Sequence, residues 1–567
     1  VDPVNGRRPS THAGIRLSQS QITHNFIYSL SVNSRTHLSI QRRNKGLNMS
    51  HMSSDDPLVI AIDSSTTSTK AIVVDTQGNV ISLGRREIAL LSPEQGFGEH
   101  DPRQWWTSTH EAVGEAVGKL TPAEKERIAA FGITHQRESF APFTADGTPL
   151  RNGILWLDIR AADQILRYGT PEIHQLSGKP ADVTPAIYKM AWVKEHQPDL
   201  WASAEKVTTV SAYIAFCLTG SWVDSTACAD SLGLFDIAKL DYDEGLLQIA
   251  GVRRDQMAGL VKPGQTLGAL KPELAKEWGV AEIPVIAGCG DGQAAGVGAA
   301  AVTPDVAYLN MGTAVNAGVT SPEYQFGQVY RTLAGGIPDT YILEVLQSSG
   351  NYLATWFRRA LGRPELAGAP DPELEALAAA RTPGSGGLVT LPYWNAVQSP
   401  YWEPVARGAI VGWRGTHGKG SMYRSLLEAI CIEMSRSLHA MEEATGVKLT
   451  AVRGMGGGLR SPLWRQIMTD AIGLPITGCK EEEISALGAA IVAMASTGVF
   501  GDTSIATAAE RMAQFTDVTE PNMDEHKVYA ELGEIQGRLY SNLKETNDLL
   551  HEFAKRHPDA ELSGAEE

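Results

Sequence analysis

Leu58-Val59-Ile60-Ala61-Ile62-Asp63-Ser64-Ser65-Thr66-Thr67-Ser68-Thr69-Lys70-Ala71-Ile72-Val73-Val74-Asp75 is the stretch whose reading decides the fold. Leu58–Ile62 is a short unbroken apolar run, the pattern of a buried strand, and Ala71–Val74 repeats it. Small hydroxyl residues fill the turn between them. Thr76-Gln77-Gly78-Asn79 is turn chemistry, and Val80–Leu83 resumes a strand. Three strands joined by tight turns form an antiparallel meander. That is not a βαβ opening, which argues against a classical dinucleotide fold at this end.

Working outward, residues 103–119 and 196–219 read as helical, with a strand at Ala130–Thr134 between them. Ile283–Cys289 is a strand entering a Gly-rich turn, followed by small residues through Ala301. Val306–Val319 then reads as strand, Gly312-Thr313 turn, strand, an echo of 58–74. Helical runs follow at 421–443 and 485–497. The echo predicts an α/β protein with two related domains facing one another, divided near 300–305 beside Pro304. The expected limits are 57–303 for the first domain and 304–555 for the second.

The flanks read differently. Residues 1–56 hold seven Lys/Arg and no acid between Asp2 and Asp55, and they are rich in Ser, Thr and Asn without sustained periodicity. A disordered extension is expected there: a transit-like segment, or an upstream stretch preceding a start at Met49 or Met52. Residues 556–567 read as a charged tail.

The chain has 567 residues, 43% hydrophobic and 20% charged, which fits a globular protein of at least two domains. Its 65 acidic against 49 basic residues give a formal charge of -16, which argues against nucleic acid or an anionic membrane as the main partner. No apolar run reaches the roughly 18–20 residues of a membrane helix. Five dispersed cysteines without a CxxC exclude a disulfide framework and a zinc site, and point to a reducing, cytoplasmic compartment.

Five segments could carry chemistry. The turn from Asp63 to Lys70 offers backbone amides and hydroxyls to phosphate oxygens, a carboxylate for Mg²⁺ and a cationic point charge. It lacks the Walker A pattern. Gly312-Thr313 is either its counterpart or a plain turn. Asp291, between glycines at a strand-to-helix junction, is either a helix cap or a general base in a cleft. Gly456-Gly457-Gly458 leaves room for a flat ring, or is simply a flexible turn. His135-Gln136-Arg137-Glu138 follows a strand, where its side chains could bracket a polyhydroxyl compound, or Arg137 and Glu138 are simply a solvated pair.

In this order and spacing, from about Leu58 to about Leu550, the segments resemble the FGGY carbohydrate kinases. The resemblance implies two actin- or hexokinase-like (ribonuclease H-like) domains with ATP and sugar in the cleft between. It implies ATP binding by Ser65, Thr66, Thr67 and Lys70, by Gly312 and Thr313, and by Gly457, Gly458 and Ser461, with Mg²⁺ near Asp63. Asp291 falls at the family's catalytic base, and Ser485–Ala490 matches its closing helix. Gln136, Arg137, Glu138, Trp156, Thr184, Asp291 and Gly292 make up the implied substrate set.

Within the family the motifs are mixed. Gly98–Pro102 with Trp105-Trp106 resembles xylulokinases, whereas Gln136-Arg137-Glu138 resembles glycerol kinases. Thr184 stands where glycerol kinases place Tyr, and Gly292 where they place Gln. Both changes are expected to enlarge the pocket and favour a pentulose such as xylulose over glycerol. The expected partner is a small sugar or polyol, and a homodimer is allowed but not required. A non-transferring actin-like ATPase would carry the same phosphate hairpins but has no need of Asp291 with Arg137-Glu138.

Overall fold

The computed structural model describes residues 56–557, apart from 367, 368, 395 and 404, and these residues fall within one compact unit. The extension expected over 1–56 and the tail expected over 556–567 lie outside the described residues, apart from their innermost positions.

The first sheet is built from β1 (Leu58–Ser64), β2 (Ser68–Val74), β3 (Val80–Glu87), β4 (Ile128–His135), β5 (Thr266–Ala269) and β6 (Pro284–Gly290), in the order β5-β6-β4-β1-β2-β3. The opening meander is antiparallel, whereas β4 and β6 run parallel to β1. Every residue of β1 is buried because both faces of the sheet are covered. Leu58, Ile60 and Ile62 pack towards α1 (Arg103–Gly118). Val59 and Ala61 pack into a second core shared with residues 486–495. A run without polar alternation is what a doubly covered strand requires.

After α2 (Asp291–Gly298) the pattern recurs. The second sheet contains β7 (Val306–Met311), β8 (Val315–Ser321), β9 (Arg331–Ala334), β10 (Tyr341–Gln347), β11 (Ala451–Met455), β12 (Ile476–Cys479) and β13 (Phe515–Thr519), ordered β9-β10-β8-β7-β11-β12-β13. Again an antiparallel group precedes two strands parallel to its first member. Helices of the second half include α3 (Asn351–Leu361), α4 (Lys419–Thr445), α5 (Pro462–Ile472), α6 (Ile484–Ser496) and α7 (Met523–Arg556). In the second half α4, α5 and α7 pack on one another, with α4 also against β8 and β10.

Helix α6 crosses from the second half onto the first sheet, against β1, β4 and β6, and lies along α2. The approach is at backbone distance. A Cβ on Gly488 would lie 1.9 Å from the Ala294 carbonyl oxygen, and one on Gly132 would lie 2.4 Å from that of Ala489. The small residues through this region are therefore a packing requirement.

One helical expectation is corrected. Residues 196–219 are not one helix: Pro198–Ser203 and Val210–Thr219 are helical, but Lys206–Thr209 is a strand. The β-branched run Val207-Thr208-Thr209 pairs antiparallel with Phe140–Phe143, and Thr209 caps the second helix by accepting from the Ala212 amide. Among the described residues no helix is long and apolar enough to cross a membrane.

Candidate active site

The first loop is held from below by Gln136, which is 1% exposed. Its backbone N–H donates to the Ser64 carbonyl at 2.9 Å, and its Nε2 to that of Ser65 at 3.3 Å. Ser65 spends its hydroxyl on the Ser68 carbonyl at 2.7 Å. The Trp156 indole N–H donates to Thr66 Oγ1 at 2.9 Å. The turn at 63–70 is thus tied to Gln136 and Trp156, with Thr66 and Thr67 half-buried.

Asp63 ends β1 and is 8% exposed. Its Oδ1 has no hydrogen-bond partner among the described residues. Burial pushes its pKa up to about 7, against the pull of Lys70, and Asp291 and Glu483 add to the rise. An orphaned, buried carboxylate oxygen fits a cation. Among the described residues no group of three or more His, Cys, Asp and Glu could hold a metal, so Asp63 would supply one ligand and phosphate or water the rest. Lys70 is ion-paired with Glu483, immediately before α6.

Asp291 opens α2, with Gly290 rather than Asp291 at the capping position. Its Oδ1 accepts from the Gly292 amide at 2.8 Å and pairs with Arg137 Nε at 2.9 Å. Some 38% of the side chain is exposed. Burial of the remainder raises its pKa, opposed by Arg137 and the Gly292 amide. Ser485 at the start of α6 donates to the Asp291 carbonyl at 3.1 Å, so the closing helix also holds the turn.

Arg137 and Glu138 do not lie as a solvated pair. Glu138 is 3% exposed and has φ 63°, a left-handed conformation that costs free energy in a non-glycine residue. Its carboxylate pairs with Arg331 of β9, and Arg137 Nη1 lies 3.1 Å from Glu344 of β10. Glu344 also accepts from Tyr308 Oη at 2.8 Å and Arg331 Nε at 2.8 Å. Burial alone would raise the pKa of Glu344, but Arg137 and Arg331 overcome it and hold it down at about 2.

Thr184 Oγ1 donates to Asp182 at 3.1 Å and lies 3.5 Å from Arg331 Nη1. Beneath it Lys189, fully buried, donates to the carbonyls of Trp156, Val183 and Thr184 at 3.1, 2.9 and 2.7 Å. Burial pushes its pKa down to about 8.

These contacts correct one expectation. A bare Gly292 does not enlarge the pocket: a Cβ there would lie 2.8 Å from Arg137 Nη2 and 3.0 Å from Glu344 Oε1. The space beside Thr184 is likewise approached by Arg331. Arg331, Glu344, Tyr308 and Lys189 escape a reading by motif. A signal was present for one of them, since Glu344 sits alone in the apolar run Tyr341-Ile342-Leu343-Glu344-Val345-Leu346 and needs a buried cation.

On the opposite side, the Gly312-Thr313 turn receives the start of α3. Asn351 N donates to the Gly312 carbonyl at 3.0 Å, and Gly350 N to that of Thr313 at 3.2 Å. Gly456 and Gly457 are exposed, whereas Gly458 is packed, with Met311 Cβ 2.9 Å from where its own Cβ would stand. Bare backbone is therefore offered at 456–457. Ser461 caps α5, accepting from the Trp464 amide at 3.0 Å and donating to Glu375 at 2.6 Å.

Two domain models match this chain: the N-terminal domain of the FGGY family of carbohydrate kinases over residues 58–298, and the C-terminal domain over 307–497. The xylulose kinase of Escherichia coli K12 is 30% identical over 427 residues, covering 73% of this chain and 85% of that one. A glycerol kinase of Symbiobacterium thermophilum is 30% identical over 457 residues, covering 78% and 90%. A ligand-bound xylulose kinase from Lactobacillus acidophilus superposes with a TM-score of 0.81 at 25% identity, covering 87% of this chain and all of that one. The chain belongs to the FGGY family of carbohydrate kinases and is a sugar kinase of two-domain α/β fold.

Proposed function

We propose that this kinase transfers the γ-phosphoryl group of ATP to a terminal hydroxyl of a pentulose, with xylulose the leading candidate. The observation that carries the reading is Asp291: a carboxylate at the start of a small-residue helix, partly exposed and 2.9 Å from the arginine of the Arg137-Glu138 pair. Phosphoryl transfer asks the protein mainly for positioning and charge stabilisation. Asp291 accepts the proton of the attacking hydroxyl. Arg137 and Glu138, with Gln136, Trp156, Thr184 and Gly292 around them, orient the substrate chain. Ser65, Thr66, Thr67 and Lys70 face the phosphates from the first domain, and Gly312 and Thr313 from the second. Gly457, Gly458 and Ser461 shape the nucleoside side. Mg²⁺ beside Asp63 would offset phosphate charge. We take the two sheets as the cores of a sugar-side domain over 57–303 and a nucleotide-side domain over 304–555. The five free cysteines suit a reducing setting, the cytoplasm.

Glycerol is the second reading, favoured by the charged side chains that occupy the space at Gly292. The test is kcat/KM for D-xylulose, L-xylulose, ribulose, erythritol and glycerol. A pentulose is expected to exceed glycerol by at least about tenfold, equivalent to roughly 1.4 kcal/mol of transition-state stabilisation; a lead for glycerol reverses the assignment. Asp291→Asn should lower turnover about 10²–10⁴-fold while leaving ATP affinity nearly intact. Retained turnover would remove Asp291 from its role.

A further inference from the structure

Arg331 and Glu344 face each other as a register pair on β9 and β10. Their side chains are 3% and 0% exposed. From the second sheet they meet two residues adjacent in sequence, and the pairing is crosswise: Glu344 with Arg137, Arg331 with Glu138. Tyr308 and Asn316 donate to Glu344 as well, so its carboxylate has little freedom. The four charges cancel, and Asp291 is the additional carboxylate on Arg137.

Four buried charges are a costly way to join two sheets, because apolar residues of similar volume commonly do so as well or better. Set behind the partly exposed Asp291, the same charges have a use, because they fix the orientation of Arg137 and Glu138. The site's shape is also built on them. A side chain at 292 would collide with Arg137 and Glu344, and Arg331 Nη1 stands 3.5 Å from Thr184 Oγ1.

We propose that Arg331 and Glu344 are specificity-determining residues of the sugar site: from their buried positions the pair orients Arg137 and Glu138 and so sets which substrate length fits. The inference rests on the reading of Asp291 and residues 136–138 as the sugar site. It adds a contribution from the second domain to a pocket otherwise drawn from the first.

The experiment compares kcat and KM for D-xylulose, glycerol and ATP in the full-length enzyme and in Arg331→Gln, Glu344→Gln and the double exchange Arg331→Glu/Glu344→Arg. The exchange keeps an opposite-charge pair across β9 and β10 but sets like charges against Glu138 and Arg137. The expected result is a sugar KM raised at least tenfold in all three, an ATP KM within twofold, and a D-xylulose-to-glycerol kcat/KM ratio changed at least threefold. A double exchange that behaves as the parent, or losses that leave that ratio constant, would overturn the proposal and leave a structural tie. Should the neutral variants not fold, Arg331→Lys keeps the charge and loses the fork; an unchanged ratio in it has the same consequence. Asp291→Asn, assayed in parallel, separates the two readings. If it stays active the sugar-site assignment fails; if it is inactive while the Arg331 and Glu344 variants are unchanged, only the specificity role fails.

Discussion

Asp63 is a group kept at a cost to stability. Its folded pKa of about 7 stands above the 3.8 of an unperturbed carboxyl. The folded state therefore holds its proton more tightly, and stability is lost as pH rises from about 4 through about 7. Asp63→Asn is expected to raise Tm at pH 8 by about 2 °C or more, with no gain at pH 4, while impairing turnover. Thermal unfolding at the two pH values checks the sign. Asp291 is raised too, first by burial, with Arg137 pulling the other way. On the proposed role of Asp291 as proton acceptor, which needs the ionised carboxylate, the acid limb of kcat/KM should fall above the ordinary carboxylate range. Arg137→Gln removes the opposing cation and should move that limb to still higher pH, alongside any loss of sugar affinity. A pH–rate profile of both enzymes decides it.

At the level of elements, the contact between α2 and α6 positions the site most directly. Asp291 begins α2, and α6 lies against it where neither backbone can yield to a side chain: a Cβ on Gly488 would stand 1.9 Å from the Ala294 oxygen, and one on Gly298 would stand 2.3 Å from that of Ile484. Gly488→Ala should destabilise by about 1–3 kcal/mol and lower kcat by displacing Asp291. Gly114, inside α1, is the control. Its Cβ would find only Trp278 Nε1 at 3.8 Å, so Gly114→Ala should stabilise by about 0.5–1 kcal/mol and leave kcat unchanged. Calorimetry and turnover on the two variants test the contrast.

At the scale of the molecule, the two halves are joined by charges as well as by α6. Lys70, at the end of the 63–70 turn, is paired with Glu483 from the second half, so the cation proposed to meet phosphate is already engaged. Side-chain exposures of 22% and 20% leave the pair accessible to solvent, and its rupture is affordable. Glu483→Gln should release Lys70 and lower the KM for ATP about two- to fivefold at low ionic strength, an effect that fades with added salt. An ATP KM that rises instead would mean that Glu483 holds Lys70 in its working position.

The meander, the turn at 63–70, its echo at 306–319 and the Gly-Asp-Gly turn at 291 were legible in the chain, because each is a local pattern of apolar runs and turn residues whose geometry needs few distant partners. The family resemblance rested on the same stretches. The strand at 206–209 was not legible, since a four-residue β-branched segment between helical stretches becomes a strand only when Phe140–Phe143 lies beside it. Nor was the true size of the pocket. Gly292 and Thr184 read as vacated space, and only the closure of the second sheet over the first brings Arg331 and Glu344 to them. Arg137 and Glu344 are 207 positions apart. A buried charge is tolerated or forbidden according to the partner it meets, and that partner is settled by how two distant sheets come together, which no local pattern encodes.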